Sequence, residues 1–187
     1  MHAAVGDFVL DCLQNSVEAG ADRIDLEIFQ EEDRLRVTLR DNGCGMDQEE
    51  LKKALDPFYT DGKKHRHRKV GLGLPFLAQA VDLAEGTFRL SSEKGRGTTL
   101  EFGFSLNHLD APPLGRLDKT FLSGFLFSGD HELVVHRHLR GKSGAAGYTV
   151  SRRELTDALG GLEETDSLVL ARDFLRNQEE ELVKITF

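Results

Sequence analysis

Two apolar stripes of period two constrain the fold more than any other feature of this chain. Ile24, Leu26 and Ile28 alternate with polar residues, and after an acidic turn at Glu31-Glu32-Asp33 so do Leu35, Val37 and Leu39. Alternation at this spacing sends one set of side chains to a single face of an extended strand. The two segments, 23–29 and the one that carries Leu35, Val37 and Leu39, therefore read as paired strands with one buried face. Asp41 continues the inward period of the second stripe, which sets a carboxylate at the end of a buried row.

The elements around this pair follow from local signals. Residues 3–19 read as a helix, apolar nearly all round, that stops at Gly20. Asp47-Gln48-Glu49-Glu50 has the spacing of a capping box and opens a short helix to about Ala54. Residues 56–70 are irregular and basic, and 71–83 form a helix that opens on glycines. Strands follow at about 86–92 and 97–106, the last with Thr98, Leu100, Phe102, Phe104 and Leu106 on one face.

Asn107 to Gly115 contains Pro112-Pro113, which cannot continue a strand or a helix interior. The expected division is a domain over 1–107, a linker over 108–116 and a smaller α+β interaction domain over 117–187. In that last part, 131–139 and 146–150 read as strands. Ser151-Arg152-Arg153-Glu154 starts a helix that ends at Gly160-Gly161, and a last amphipathic helix covers about 166–182. Arg137 to Lys142 reads as a solvated basic hairpin. The layering is α+β, with helices packed on one side of a sheet.

Composition removes several classes. With 187 residues and a net charge of −8, the chain lacks the basic balance of a general nucleic-acid binder. No apolar run approaches the roughly 20 residues of a membrane span. Cys12 and Cys44 are too few for a disulfide scaffold, so reduced thiols in the cytoplasm are the expectation.

Five groups of residues carry chemistry. Asp11 and Asn15 lie one turn apart on one helix face. Their stripe holds Phe8, Cys12 and Ala19, and a buried carboxylate and amide there would suit a hydrated Mg²⁺. The alternative is a solvated helix edge. Asp41-Asn42-Gly43-Cys44-Gly45-Met46 follows a strand, and its glycines permit a tight reversal and close backbone approach to a ligand. Asp41 can accept from an exocyclic amine. Gly71-Leu72-Gly73-Leu74 puts free N–H groups at a helix start, an arrangement that fits phosphate. Neither a G-x-G-x-x-G nor a Walker A pattern is present. Gly62 to Lys69 carries five Lys/Arg residues ahead of that turn, which reads as a lid whose cations meet triphosphate, the alternative being a solvated loop or a patch for an acidic partner. Finally, Gly95-Arg96-Gly97-Thr98 points the Thr98 hydroxyl toward the buried face.

In this order, the motifs of the first 107 residues resemble the Bergerat-fold ATP-binding domain of the GHKL superfamily, which includes gyrase, heat-shock chaperone ATPases, histidine kinases and MutL-type proteins. The resemblance implies a two-layer sandwich of a mixed sheet with helices on one face, here extended by a small C-terminal α+β appendage. It also implies ATP and Mg²⁺ as ligands. By the same resemblance, Asn15 holds Mg²⁺ with Asp11 beside it, and Asp11 stands where hydrolytic members carry a Glu general base. Asp41 reads the adenine amine, and Thr98 bonds near the same ring. Ala19, Gly43, Gly45 and Met46 line the nucleotide. Phe58 and Tyr59 form the aromatic segment before the lid, and Lys64 is a candidate lid cation. Gly71, Leu72, Gly73 and Leu74 face the phosphates.

The function this implies is a Mg²⁺-dependent ATP-binding regulator with weak ATPase activity. Alternatives are a protein kinase acting in trans, a non-enzymatic nucleotide-binding module and a mismatch-repair-type clamp. The acidic charge and the short C-terminal part weigh against the last. The sequence starts at the first helix, without a preceding phosphoacceptor segment, so self-contained histidine autophosphorylation is not expected. A protein partner is expected through the C-terminal region. The last helix, with Leu168, Leu170, Leu175 and Leu182, packs with the Val134-Val135 strand either on the ATP domain or on a second copy in a homodimer.

Overall fold

The structure, a computed structural model, describes residues 4–56 and 73–186. In chain order the elements are α1 (Val5–Glu18), β1 (Arg23–Gln30), β2 (Arg34–Asp41), α2 (Gln48–Ala54), α3 (Gly73–Leu83) and β3 (Thr87–Glu93). Then come β4 (Gly97–Ser105), α4 (Leu117–Phe125), β5 (Glu132–Gly141), β6 (Gly144–Ser151), α5 (Arg152–Leu159) and α6 (Thr165–Thr186).

The strands form one six-stranded sheet in the order β3-β4-β2-β1-β5-β6. All pairings are antiparallel except that of β1 with β5, so the sheet is mixed. The inward rows register across it: Ile28 lies opposite Val37, Val37 opposite Phe102, and Leu39 opposite Leu100. These side chains are essentially fully buried against the helices. The opposite face carries charged and polar side chains, among them Glu27, Arg36, Arg40 and His138.

Residues 117–187 supply the α+β elements expected of them, but they extend the same sheet rather than form one of their own. β5 lies parallel to β1, with Ile24 opposite Leu133 and Leu26 opposite Val135. A single hydrophobic core runs from Val5 through Leu100 to Leu175. Leu168, Leu175, Leu182, Val134 and Val135 all pack within the chain, whereas Leu170 remains exposed.

Helix α4 was not foreseen. Its signal is present in retrospect, since Leu117, Thr120, Phe121, Gly124 and Phe125 follow a helical period and all are buried. Asp118, also buried, interrupts that pattern, and Arg116 compensates it by an ion pair at 2.6 Å. The Arg116 guanidinium holds the Asp118 carboxyl below the usual carboxylate range. Gly124 lets α4 lie close to both layers: a Cβ there would stand 2.9 Å from Leu13 Cδ1 and 3.1 Å from Leu133 Cδ2.

The basic hairpin is solvated only in part. Arg137 points inward and is 1% exposed. Its Nη1 donates to the His138 carbonyl at 2.8 Å, its Nη2 to Gln30 Oε1, and its Nε lies 3.3 Å from Glu179 Oε1. The Tyr148 hydroxyl donates to the same Glu179 carboxylate, and burial raises the pKa of that phenol. This network fastens α6 to β5 and β6.

His131 is buried at the entry to β5, and neither ring nitrogen has a hydrogen-bond partner among the described residues. Burial, then the Arg152 charge, pushes its pKa below the ordinary 6.5, against weaker opposing effects of Glu132 and Asp130. The unfolded chain therefore binds this proton more readily than the folded one. Stability from this site is full above pH 6.5 and falls as the pH drops below that, by at most about 1.4 kcal/mol per pH unit. Urea unfolding at pH 7.5 and 5.5 tests this, since a His131→Phe chain should show a shallower loss than the parent.

Candidate functional site

The site is built where the C-terminal end of α1, the end of β2, the start of β4 and the loop 42–46 come together. Asp41 ends β2, opposite Ile24 on one side and Thr98 on the other. Both of its carboxylate oxygens are held. Ser16 Oγ donates to Oδ2 at 2.9 Å, and the Gly43 N–H donates to Oδ1 at 2.9 Å. A carboxylate has about four acceptor positions, so Asp41 is fixed in orientation with capacity left for a further donor. Ser16 is 3% exposed and reaches Asp41 from the buried side of α1.

The loop 42–46 is laced to three neighbours. The Cys44 N–H donates to the Ala19 carbonyl at the end of α1 (2.9 Å), and the Gly95 N–H donates to the Cys44 carbonyl (2.7 Å). The Met46 N–H donates to Ser92 Oγ at 2.8 Å, and Ser92 Oγ lies 2.9 Å from Thr98 Oγ1. Two glycines make this lacing sterically feasible. Gly45 has φ +61°, and a Cβ there would stand 2.0 Å from the Glu93 carbonyl oxygen. Gly97 has φ +108°, and its Cβ would meet the Asp41 carbonyl oxygen at the same 2.0 Å. Any larger residue would force the backbone of one loop away from the other.

The structure thus brings Ala19, Asp41, Gly43, Gly45, Met46 and Thr98 into one cluster. Asp11 and Gly73 also meet: a Cβ on Gly73 would lie 3.0 Å from Asp11 Oδ2, so α3 begins directly against the Asp11 carboxylate. Leu74 is half-buried and packs against the core. The expected buried setting of Asp11 and Asn15 needs correction. Phe8, Cys12 and Ser16 take the buried face, leaving Asp11 half-buried and Asn15 exposed. The pair occupies the solvent-facing edge of the stripe, where ligands with retained water can reach it. Phe58, Tyr59, Lys64, Gly71 and Leu72 lie outside the described residues.

Among the described residues, no group of three His, Cys, Asp or Glu side chains can hold a metal ion. Asp11 and Asn15 together offer only one or two oxygen ligands. That suits Mg²⁺ completed by phosphate and water, and does not suit a metal caged by protein. The two thiols differ: burial, then Asp11, pushes Cys12 up to about 12, while Cys44 is exposed on the loop.

Two residues that hold this cluster together are not among those singled out from the sequence. Ser16 and Ser92 bear no charge and no motif of their own. Their signal lies in their neighbours: Ser16 follows Asn15 on the inner side of α1, and Ser92 stands opposite Thr98 in the β3–β4 register.

Residues 3–108 match the family described as the histidine kinase-, DNA gyrase B- and HSP90-like ATPase, which is more than half the chain. The chain belongs to that family, and this region is an ATP-binding domain of the histidine-kinase type. It is 31% identical over 102 residues to the sensor histidine kinase YxdK of Bacillus subtilis, covering 54% of this chain and 31% of that protein. It is 32% identical over 114 residues to the CAI-1 autoinducer sensor kinase/phosphatase CqsS of Vibrio cholerae, covering 60% of this chain and 16% of that one. The catalytic domain of the histidine kinase ThkA aligns with a TM-score of 0.39 at 21% identity, over 51% of this chain and 61% of that chain. The chain spans less than a third of these two curated relatives. No helix among the described residues is long and apolar enough to cross a membrane.

Proposed function

We propose that the chain binds Mg²⁺·ATP, hydrolyses it slowly and acts in the cytoplasm as a nucleotide-dependent regulatory switch. The observation that carries this reading is the Asp41 carboxylate, clamped by Ser16 and Gly43 in register with Thr98. A rigid acceptor beside a hydroxyl fits the amine edge of adenine. Mg²⁺, when bound, would be held by Asn15 with Asp11 adjacent, and would offset the charge of the phosphate oxygens. Asp11, against the start of α3, is the general base that takes a proton from the water as its oxygen bonds to the γ-phosphorus, the bond to the β-phosphate oxygen breaks and ADP leaves. Its side chain is one methylene shorter than Glu and reaches that water directly or through a second one. Turnover is accordingly slow. Residues 117–187 are the part that meets a protein partner.

A second reading has support in the relatives, whose names are those of sensor kinases. In it the γ-phosphoryl group passes from ATP to a side chain of another protein and ADP leaves.

Calorimetric titration with ATP, ADP and a non-hydrolysable analogue, each with and without Mg²⁺, tests the proposal. The expected result is Mg²⁺-dependent binding that favours triphosphate, with slow phosphate release. Absence of binding by any adenine nucleotide overturns it. Binding with radiolabel that moves from ATP to a protein, and no free phosphate, establishes the second reading instead.

A further inference from the structure

We infer that β6 and the adjoining flank of α6 form a two-fold interface with a second copy of this chain. Among the described residues β6 is an outer strand of the sheet, bonded to β5 alone, so alternate residues turn N–H and C=O groups outward without a strand partner there. Outer strands are usually protected by charge or proline. β6, Gly-Ala-Ala-Gly-Tyr-Thr-Val-Ser over 144–151, has neither along its whole length. The opposite edge, β3, is guarded by Arg89 and Glu93.

A second, independent feature lies next to it. Leu170, Phe174 and Ile185 are 58%, 40% and 58% exposed. Steps of four and eleven residues put them along one line of α6. Helix α6 is fixed to the β5–β6 hairpin at two points, by Tyr148 to Glu179 and by the Ser143 N–H to the Thr186 carbonyl at 3.1 Å. The apolar line and the open strand therefore belong to one rigid unit.

A second copy is the occupant that fits both features at once. A strand edge is complementary to itself when paired antiparallel, and a two-fold axis through β6 also sets the two α6 lines facing one another. The chain carries a net charge of −8, which opposes self-association over most of its surface. This edge strand contributes no charge, and Glu181, on the same flank of α6, is paired with Lys184. A strand of this length is about 27 Å long. With the helix flank, the area buried is on the order of 1,000 Å², at the lower end for specific association, which implies a micromolar dimer.

Sedimentation velocity of the whole chain without nucleotide, from about 1 to 500 µM, tests this. The expected result is a concentration-dependent dimer whose dissociation constant rises at least tenfold in each of two paired variants: Ala145→Lys with Thr149→Lys, and Leu170→Lys with Phe174→Lys. All four positions are exposed, so the circular dichroism and ATP affinity of these variants should stay at parental values. Hydrogen exchange supplies a reading without mutation, since the β6 amides should slow as the parental chain is concentrated. A chain that stays monomeric throughout, or a dimer indifferent to both variants, overturns the inference. The nucleotide reading is independent of either outcome.

Discussion

An Asp41→Asn chain is expected to fold as the parent does and to bind ATP about 10- to 150-fold more weakly, the loss of one hydrogen bond to a charged group. The fold should persist because an amide can satisfy the same neighbours. Its oxygen can accept from the Gly43 N–H, and its NH₂ can donate to Ser16 Oγ, which lies 2.9 Å from the present oxygen. What changes is the side offered to the base: a donor now meets the donor amine of adenine. Inosine triphosphate, with a carbonyl there, should lose less than ATP. Calorimetry on both nucleotides checks this, and equal affinity of parent and variant for ATP would remove Asp41 from the site.

The largest effect on stability is expected at the opposite end of the sheet. Arg137→Ala should lower the unfolding free energy by about 3 kcal/mol, the lower end of the cost of removing one partner of a buried ion pair, because the Glu179 left behind is only half-buried. Gln30 Oε1 would then lose its guanidinium donor, and the Glu179 carboxylate would keep the Tyr148 hydroxyl but lose the opposing charge. Glu179→Gln should cost less, because an amide oxygen still accepts from Tyr148 and from the guanidinium. Urea denaturation of the three chains orders them. If Glu179→Gln proves as damaging as Arg137→Ala, the charge rather than the hydrogen-bond geometry holds α6 in place.

The first half of the chain was more legible than the second, for physical reasons. Period-two stripes, a capping box at Asp47 and glycines at 43, 45 and 97 are local signals, and each fixed its own element. The Asp47 box formed as read, with its carboxylate accepting from Glu49 and Glu50. The inward setting of Asp41 and Thr98 was legible in the two stripes, whereas their pairing across β2 and β4 is seen only in the structure. Nothing local indicates that β5 inserts beside β1, because strand order depends on contacts more than a hundred residues apart. The inward turn of Arg137 was hidden for a similar reason. A basic residue among other basic residues looks solvated until Gln30 and Glu179, both distant in sequence, are seen to receive it. Ser16 was obscured differently, by being a small neutral residue whose role is to hold another side chain.

The parallel pairing of β1 with β5 has a consequence for biosynthesis. During translation the nucleotide-binding motifs are complete once residue 98 has left the ribosome, yet one side of β1 has no strand to bond until residues 132–141 follow it. At about 5–20 residues per second that interval lasts several seconds. Throughout it Ile24, Leu26 and Ile28 border an open edge. The nascent chain is then most vulnerable to wrong pairing, and a chaperone that shields this edge would act in that window.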